Sequence, residues 1–277
     1  MVTSDRPFDL FVFDLDGTAL GGCEPYARFP DRFSAFLDAL AAAGTHWCTN
    51  TTWHPRLQLD LLRASRVQSR PAFLYGRTGL MRARAGAGGG EPEYDEDWAR
   101  EVAGLEGVYL TRELPRVRRF LEVDLRPLGL AVAPVEGEPL MLAVAADEAA
   151  WAPLCATVPP FLAERLAGEA YAETNTESRR LVIMPARMSK AAAVRRMHQD
   201  LICSPARTLV AGDSTNDLSM LDPAVARFQV CPANAAPAVK ERVLRHAGVV
   251  GEKPYSDGVI EAVGCLFGRG RNRGGDS

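Results

Sequence analysis

A short, mostly apolar run that ends in two carboxylates constrains the fold of this chain more than any other feature. Residues 8–13 read FDLFVF and continue directly into Asp14-Leu15-Asp16-Gly17. A run of this kind is typical of a strand that is buried on both faces of a parallel sheet. We therefore predict an α/β protein in which Asp14 and Asp16 stand at the carboxyl end of a strand, where open sheets of this class bind ligands.

Strand-like and helix-like patterns alternate in two separate parts of the chain, residues 1–80 and 187–267. This alternation is the pattern of a parallel sheet covered by helices. The intervening residues 81–186 mix both patterns without a signature of their own, and the Gly-rich stretch 82–92 predicts a linker. We expect a Rossmann-like parallel-sheet core, split in sequence, with an inserted α+β cap. Residues 268–277 predict a disordered tail.

Charge and composition disfavour several classes of protein. The chain has 277 residues, a net charge of -3 and a pI near 5.9, whereas nucleic-acid-binding modules are usually basic. RNA binding by the three arginines of the tail is an alternative that the acidic pI disfavours. The chain contains no run of eighteen apolar residues, so the sequence predicts no membrane-spanning helix. The six cysteines lack metal-site spacing and predict reduced thiols in a cytoplasmic protein.

A second predicted strand end supplies further carboxylates. Residues 208–211 predict a strand that leads into the segment GDSTND, residues 212–217, and residues 218–221 predict the start of a helix. Asp217 lies four residues after Asp213, one helical turn along the same face. Alone, such a segment is equally typical of a helix N-cap followed by an acid in the first turn.

Taken together, the two strand ends offer only oxygen donors. They contribute four carboxylates and one amide, from Asp14, Asp16, Asp213, Asp217 and Asn216. Neighbouring carboxylates repel one another unless a proton or a cation lies between them. Oxygen-only donor sets favour Mg²⁺ over zinc.

These segments resemble the motifs of the haloacid dehalogenase superfamily. Residues 14–18, DLDGT, are similar to its motif one, and residues 212–217 to motif four in the form seen in Cof-like and sucrose-phosphate-phosphatase-like members. Thr49, at the end of a predicted strand, is similar to motif two. Lys190, one of only three lysines in the chain, is similar to motif three. The four motifs follow one another in the order that the family has.

The resemblance implies a Mg²⁺-dependent phosphatase, a phosphoric monoester hydrolase that acts on a small phosphorylated metabolite, with a sugar phosphate favoured. Asp14 would be the nucleophile that forms an aspartyl-phosphate. Asp16 would be the general acid and base. The implied Mg²⁺ ligands are Asp14, the backbone carbonyl of Asp16, and Asp213, with Asn216 and Asp217 close behind.

The implied phosphate-binding groups are Thr49, Asn50 and Lys190. One departure concerns motif two, which usually continues as Thr-Gly-Arg and here reads Thr49-Asn50-Thr51-Thr52. The substrate contact of the missing arginine is therefore unassigned. Arg56 is a candidate replacement, although a solvated helix arginine is the simpler interpretation.

Several other residues and functions remain as alternatives. A phosphomutase of the same fold and a non-catalytic phospho-ligand-binding protein are the rival functions. Arg116, Arg118 and Arg119 form a basic patch that we interpret as a solvated face, with a contact to an anionic substrate as the alternative. Trp47 and Trp53 flank motif two and predict packing rather than sugar stacking. The four histidines are scattered and form no metal-binding pair.

Overall fold

The computed structural model describes residues 7–21, 28–77, 79–86, 90–108, 112, 114–124, 131–134, 141–145, 147–166, 170–175 and 179–268. The chain divides into two compact units. The first unit combines Met1–Asp95 with Ala193–Ser277, and the second unit is Glu96–Ala192. Residues 81–95, which the sequence predicted as the start of the inserted cap, lie in the first unit.

The described strands, in chain order, are β1 (Leu10–Phe13), β2 (His46–Asn50), β3 (Phe73–Gly76), β4 (Met81–Arg84), β5 (Glu93–Tyr94), β6 (Ala131–Pro134), β7 (Met141–Val144), β8 (Ala170–Asn175), β9 (Arg180–Pro185), β10 (Thr208–Ala211), β11 (Phe228–Cys231) and β12 (Val249–Val250). The α-helices are α1 (Asp31–Ala42), α2 (Pro55–Ala64), α3 (Glu96–Val108), α4 (Leu114–Arg119), α5 (Glu148–Arg165), α6 (Lys190–Leu201), α7 (Pro237–Arg245) and α8 (Tyr255–Gly268).

The first unit contains an eight-stranded sheet in the order β12-β11-β10-β1-β2-β3-β4-β5. The strands from β12 to β3 are parallel, and β4 and β5 add antiparallel pairs at one edge. From β1 the chain builds outward through β2 and β3 on one side and through β10 to β12 on the other. The β1–β10 pair is therefore the switch point of the sheet, where ligands bind in folds of this class. The predicted α/β, Rossmann-like fold is confirmed.

The predicted central strand is buried along its whole length. All four residues of β1 are buried, and Phe13 pairs with Ala211 of β10 and Thr49 of β2. Phe11 and Phe13 pack in one cluster with Phe33 of α1 and Val259 of α8. Because both faces are covered, β1 needs apolar residues throughout.

The Gly-rich stretch begins as a strand and not as a linker. Met81–Arg84 forms β4, in which Ala83 is buried and Arg82 is only 4% exposed. The Arg82 guanidinium lies over the Phe73 ring, 4.0 Å from its centroid, and 2.7 Å from a carboxylate oxygen of Asp200. Ion pairing and stacking therefore stabilise a strand whose small residues, considered alone, predicted flexibility. Residues 87–89 of the predicted linker lie outside the described residues.

The α-helix predicted to start at 218–221 is absent from this described segment. Thr215–Asp217 forms a 3₁₀ turn, and turns follow it. Pro223 explains this shortness, because a proline disfavours the α conformation in the preceding residue and supplies no N–H. At the other end of the chain, α8 runs to Gly268, and the rest of the predicted tail lies outside the described residues.

The second unit is built on a four-stranded antiparallel sheet in the order β6-β7-β9-β8. Helix α5 supplies Trp151, Leu154 and Val158 to a core that also contains Leu181 and Ile183 of β9. This is the α+β composition that the sequence predicted for the inserted segment.

None of the described helices is long and apolar enough to cross a bilayer. The cysteines of the described part of the chain are free thiols, and Cys23 lies outside that part. Burial raises the pKa of Cys48 and of Cys231 to about 12, which makes both thiols poor nucleophiles at neutral pH.

Candidate functional site

Three carboxylates meet at the carboxyl ends of β1 and β10. Asp14 follows β1 directly, and Asp213 lies two residues beyond β10. Oxygen atoms of Asp14, Asp213 and Asp217 all lie within 4.8 Å of one another. Asp14 is 4% exposed and Asp217 is completely buried. The fold thus gathers carboxylates from two distant parts of the sequence at the switch point of the sheet.

The loop after β1 holds Asp213 directly. The Thr18 hydroxyl donates a hydrogen bond of 2.6 Å to Oδ1 of Asp213. Gly17 has a φ of 74°, a conformation that favours glycine, and a Cβ atom there would lie 2.1 Å from Oδ2 of Asp213. The glycine of motif one is therefore required both by its backbone conformation and by the approach of Asp213.

Asp217 shapes the loop that carries Asp213. Its Oδ2 accepts hydrogen bonds from the backbone N–H of Asp213 at 2.9 Å and of Ser214 at 3.0 Å. Ser214 and Asp217 together form a capping box, and the Ser214 hydroxyl also donates to the side-chain oxygen of Asn216. The helix-cap interpretation of this segment is thus compatible with its place in the carboxylate cluster.

The donor set fits a hard divalent cation. Three carboxylates this close, two of them buried, repel one another strongly in a low-dielectric environment. Their donors are oxygen atoms only, as Mg²⁺ prefers. Because Gly17 has no Cβ atom, the Asp213 carboxylate can lie directly against the motif-one loop.

Asp16 has a partner that the sequence interpretation missed. The indole Nε1 of Trp53 donates a hydrogen bond of 2.7 Å to Oδ2 of Asp16. Trp53 also packs against the main apolar cluster, so its predicted packing role is only part of its contacts. The sequence position of Trp53 could have indicated this contact, because Trp53 lies four residues after Thr49, in the segment where motif two departs from Thr-Gly-Arg.

The side chain of Thr49 is hydrogen-bonded to Gln58, a second residue that the sequence analysis did not single out. The Thr49 hydroxyl donates to Oε1 of Gln58, which is buried in α2. The Nε2 of Gln58 donates to the carbonyl oxygens of Trp53 at 2.8 Å and Tyr75 at 3.0 Å. Gln58 therefore connects the end of β2, the Trp53 loop and the end of β3.

Asn50 and Lys190 are both completely buried. Asn50 ends β2, and its Nδ2 lies 3.8 Å from Sδ of Met220. Lys190 is the first residue of α6. Ser189 precedes it and caps the helix, because its hydroxyl accepts a hydrogen bond from the Ala192 N–H at 3.3 Å. A fully buried ammonium requires polar or anionic groups around it.

Asn234 joins the motif-one loop to α8. Its Nδ2 donates to the carbonyl of Gly17 at 2.7 Å, and its Oδ1 accepts from the N–H of Tyr255 at 2.7 Å. Arg56, by contrast, forms an exposed ion pair with Glu91 at 3.6 Å. Exposed pairs of this kind contribute little to stability.

Comparison with known proteins finds one matching family model and several solved structures of similar fold. A family model described as haloacid dehalogenase-like hydrolase matches residues 136–263. The chain is similar to a sucrose-phosphatase from Synechocystis sp. PCC6803, solved with sucrose and phosphate, at 17% identity and a TM-score of 0.66, covering 94% of this chain and 98% of that one. No curated protein matches the sequence.

Two further solved structures show the same fold. A haloacid dehalogenase-like hydrolase from Bacillus subtilis has 16% identity and a TM-score of 0.59, with 95% of this chain and 93% of that one covered. A phosphatase of the superfamily from Bacteroides thetaiotaomicron has 17% identity and a TM-score of 0.58, with 97% and 98% covered.

The family match places residues 136–263 with the haloacid dehalogenase-like hydrolases. Over nearly the whole chain, the fold is similar to that of the sucrose-phosphatase and of the two haloacid dehalogenase proteins described above. The resemblance inferred from the four motifs is confirmed.

Proposed function

We propose that this protein is a Mg²⁺-dependent phosphatase that hydrolyses a small phosphorylated metabolite through an aspartyl-phosphate. The observation that carries the proposal is the cluster of Asp14, Asp213 and Asp217 oxygens within 4.8 Å of one another, at the β1–β10 switch point. A structural role alone does not require this many carboxylates in a partly buried site, because their repulsion costs stability.

Asp14 is the proposed nucleophile. Its N–H is fixed by the carbonyl of Ala211 at 3.1 Å, and its Oδ1 accepts a hydrogen bond from Leu15 N–H at 2.8 Å. These bonds hold the carboxylate at the strand end. A bond forms between an Asp14 carboxylate oxygen and phosphorus while the bond from phosphorus to the leaving oxygen breaks.

Asp16 is the proposed general acid and base. It gives a proton to the leaving oxygen in the first step, so that the product departs as a neutral alcohol. In the second step it takes a proton from water, whose oxygen bonds to phosphorus while the bond to Asp14 breaks. Inorganic phosphate is released, and Asp14 and Asp16 return to their starting states.

The residues that would hold Mg²⁺ are Asp14, Asp16 through its backbone carbonyl, and Asp213, with Asn216 and Asp217 supporting the loop behind them. When bound, Mg²⁺ supplies positive charge that offsets the repulsion between an anionic nucleophile and an anionic substrate. Thr18 orients Asp213 for this role through its hydrogen bond of 2.6 Å.

Thr49, Asn50 and Lys190 are the proposed phosphate-binding groups. The ammonium of Lys190 would supply the positive charge that phosphoryl oxygens require. A sugar phosphate is the favoured substrate class. This choice is supported by the similarity of fold to a sucrose-phosphatase that was solved with sucrose and phosphate.

The test is a turnover screen of phosphorylated metabolites that measures release of inorganic phosphate with Mg²⁺ and with excess EDTA. We expect hydrolysis with Mg²⁺ and none with EDTA. Asp14→Asn should abolish turnover while the circular-dichroism spectrum and the melting temperature stay near those of the wild type. Turnover that survives in Asp14→Asn would refute the nucleophile. Isomerised sugar phosphate in place of inorganic phosphate would identify a mutase.

A further inference from the structure

We propose that Trp53 is a positioning residue for the general acid Asp16, and that it determines which carboxyl oxygen of Asp16 carries the transferred proton. This inference rests on the proposed function, because it assumes that Asp16 acts as the acid. It concerns a residue outside the four motifs.

The hydrogen bond between the two side chains has a fixed direction. Trp53 Nε1 lies 2.7 Å from Oδ2 of Asp16, and an indole N–H is a donor only. Oδ2 therefore accepts a hydrogen bond from Trp53 whether the carboxyl group is ionised or protonated. A proton on the same oxygen would weaken that bond, so the proton that Asp16 transfers is carried by Oδ1.

Trp53 is itself held in place by its backbone. Its carbonyl accepts a hydrogen bond of 2.8 Å from Nε2 of the buried Gln58, and its N–H lies 3.4 Å from Oγ1 of Thr51. A Cβ atom at Gly76 would lie 2.3 Å from the Trp53 carbonyl oxygen, so only glycine permits this approach. These contacts fix the loop from which the indole reaches Asp16.

The indole ring is also fixed by packing. Trp53 is partly buried against the apolar cluster that contains Phe13 and Leu15, on either side of Asp14. A rigid ring with a single polar atom loses little conformational entropy when it forms its hydrogen bond. This combination holds a carboxyl group in one rotamer without adding a charge to the site.

The proposal predicts a dependence on the leaving group. Phenyl phosphate needs a proton on its departing oxygen, whereas the stabilised anion of 2,4-dinitrophenyl phosphate departs without one. Loss of a correctly placed acid should therefore slow hydrolysis of the first ester and spare that of the second. The two esters share a similar shape, so a general distortion of the site slows both.

The experiment compares Trp53→Phe with the wild type on both esters in the presence of Mg²⁺. Trp53→Phe keeps an aromatic ring and removes the N–H. We compare kcat/KM, which reports the step in which the leaving group departs and excludes the later hydrolysis of the aspartyl-phosphate that both esters share. We expect kcat/KM for phenyl phosphate to fall by about tenfold or more, part of the usual contribution of a general acid, while kcat/KM for 2,4-dinitrophenyl phosphate changes by less than about twofold.

Trp47→Phe is the matched control. Trp47 is buried, and its Nε1 donates a hydrogen bond of 3.1 Å to the Ser69 hydroxyl, away from Asp16. This variant loses an indole hydrogen bond of the same kind and should slow both esters equally or not at all. Equal losses on both esters in Trp53→Phe, or no loss on phenyl phosphate, would overturn the proposal.

A spectroscopic measurement covers the case in which Trp53→Phe does not fold. The indole ¹H–¹⁵N signals of the four tryptophans are recorded in the wild type and in Asp16→Ala. One signal, that of Trp53, should move strongly upfield while that of Trp47 stays in place. Indole signals that are all unchanged would contradict the contact. Failure of the wild type to hydrolyse either ester would instead reject the proposed function, and the inference with it.

Discussion

The hydrogen bond between Thr49 and Gln58 has one possible direction. Both hydrogens of the Gln58 amide are donated to the carbonyl oxygens of Trp53 and Tyr75, so Oε1 faces Thr49 and can only accept. The Thr49 hydroxyl hydrogen is therefore committed to Gln58. A phosphoryl oxygen is also an acceptor, so the Thr49 hydroxyl can donate to it only by releasing Gln58.

Thr49→Val should destabilise the protein. Valine keeps the shape of threonine but leaves the buried Oε1 of Gln58 without its donor, at a cost of about 1–3 kcal/mol. Thr49→Ser keeps the hydroxyl, so its free energy of unfolding should fall clearly less than that of Thr49→Val. Urea unfolding of the two variants measures both values. If Thr49→Val is as stable as Thr49→Ser, the buried hydrogen bond contributes nothing.

Lys190→Met should lower kcat by at least about a hundredfold, the scale of losing one strong charge stabiliser. Lys190→Arg should restore little of the lost kcat, because a planar guanidinium is larger than an ammonium and is hydrated differently. Global stability should stay equal or rise slightly, because a buried cation at a helix N-terminus opposes the helix dipole. Steady-state kinetics and thermal unfolding check these expectations. A near-normal kcat/KM in Lys190→Met would remove Lys190 from the site.

Gly17→Ala should weaken Mg²⁺ binding by about tenfold or more, as does loss of a residue that orients a metal ligand. The new methyl group would displace the Asp213 carboxylate, and the positive φ adds backbone strain of about 1–2 kcal/mol. Isothermal titration with MgCl₂ measures the affinity.

Gly264→Ala is the control for that substitution. Gly264 lies within α8, and a Cβ atom there meets nothing within 4 Å. Alanine should raise stability by up to about 1 kcal/mol and leave Mg²⁺ affinity unchanged. Equal Mg²⁺ affinities for Gly17→Ala and Gly264→Ala would show that Gly17 does not protect the position of Asp213.

His198 should make the stability of the protein depend on pH. Burial, and secondarily the charge of Arg195, lower the pKa of His198 below 6.5. Its Nε2 donates to the Thr208 hydroxyl at 2.9 Å, because the hydrogen of that hydroxyl is given to the Ser204 carbonyl. A neutral His198 imidazole that carries its hydrogen on Nε2 can therefore make this hydrogen bond.

The unfolded chain binds a proton at His198 more readily than the folded chain does. The contribution of His198 is therefore complete above pH 6.5 and is lost as the pH falls through the lowered pKa. Urea unfolding between pH 5 and 8 measures this loss. His198→Gln should show a shallower decline below pH 6.5, and an unchanged slope would assign the decline to other groups.

The parallel core was predictable because the apolar composition of its strands indicates that they are buried on both faces. The apolar runs of β1 and β10 favour buried parallel strands, and a carboxylate follows within two residues of the end of each strand. The strand β4 was not predictable in this way. Its buried Arg82 pairs with Asp200, which is more than a hundred residues away in sequence, so no local pattern reveals the contact.

The candidate site shows the same limit. Asp14 and Asp213 could be found from local sequence, because each lies within two residues of the end of an apolar strand. Gln58 and Trp53 could not, because their contacts depend on where α2 and the loop after β2 lie relative to Asp16 and the end of β3. A glutamine on a helix and a tryptophan in a loop carry no local pattern that separates these contacts from ordinary packing.

The pairing of β1 with β10 also determines when during biosynthesis the site can exist. Thr18 and Asp213, which share a hydrogen bond, are separated by 195 residues. A nascent chain that has emerged from the ribosome only through β9 carries Asp14 but lacks Asp213 and Asp217. Its exposed β1 edge has open backbone hydrogen-bonding groups until β10 arrives. The cluster of Asp14, Asp213 and Asp217 is therefore complete only after β10 and the loop that follows it have been synthesised.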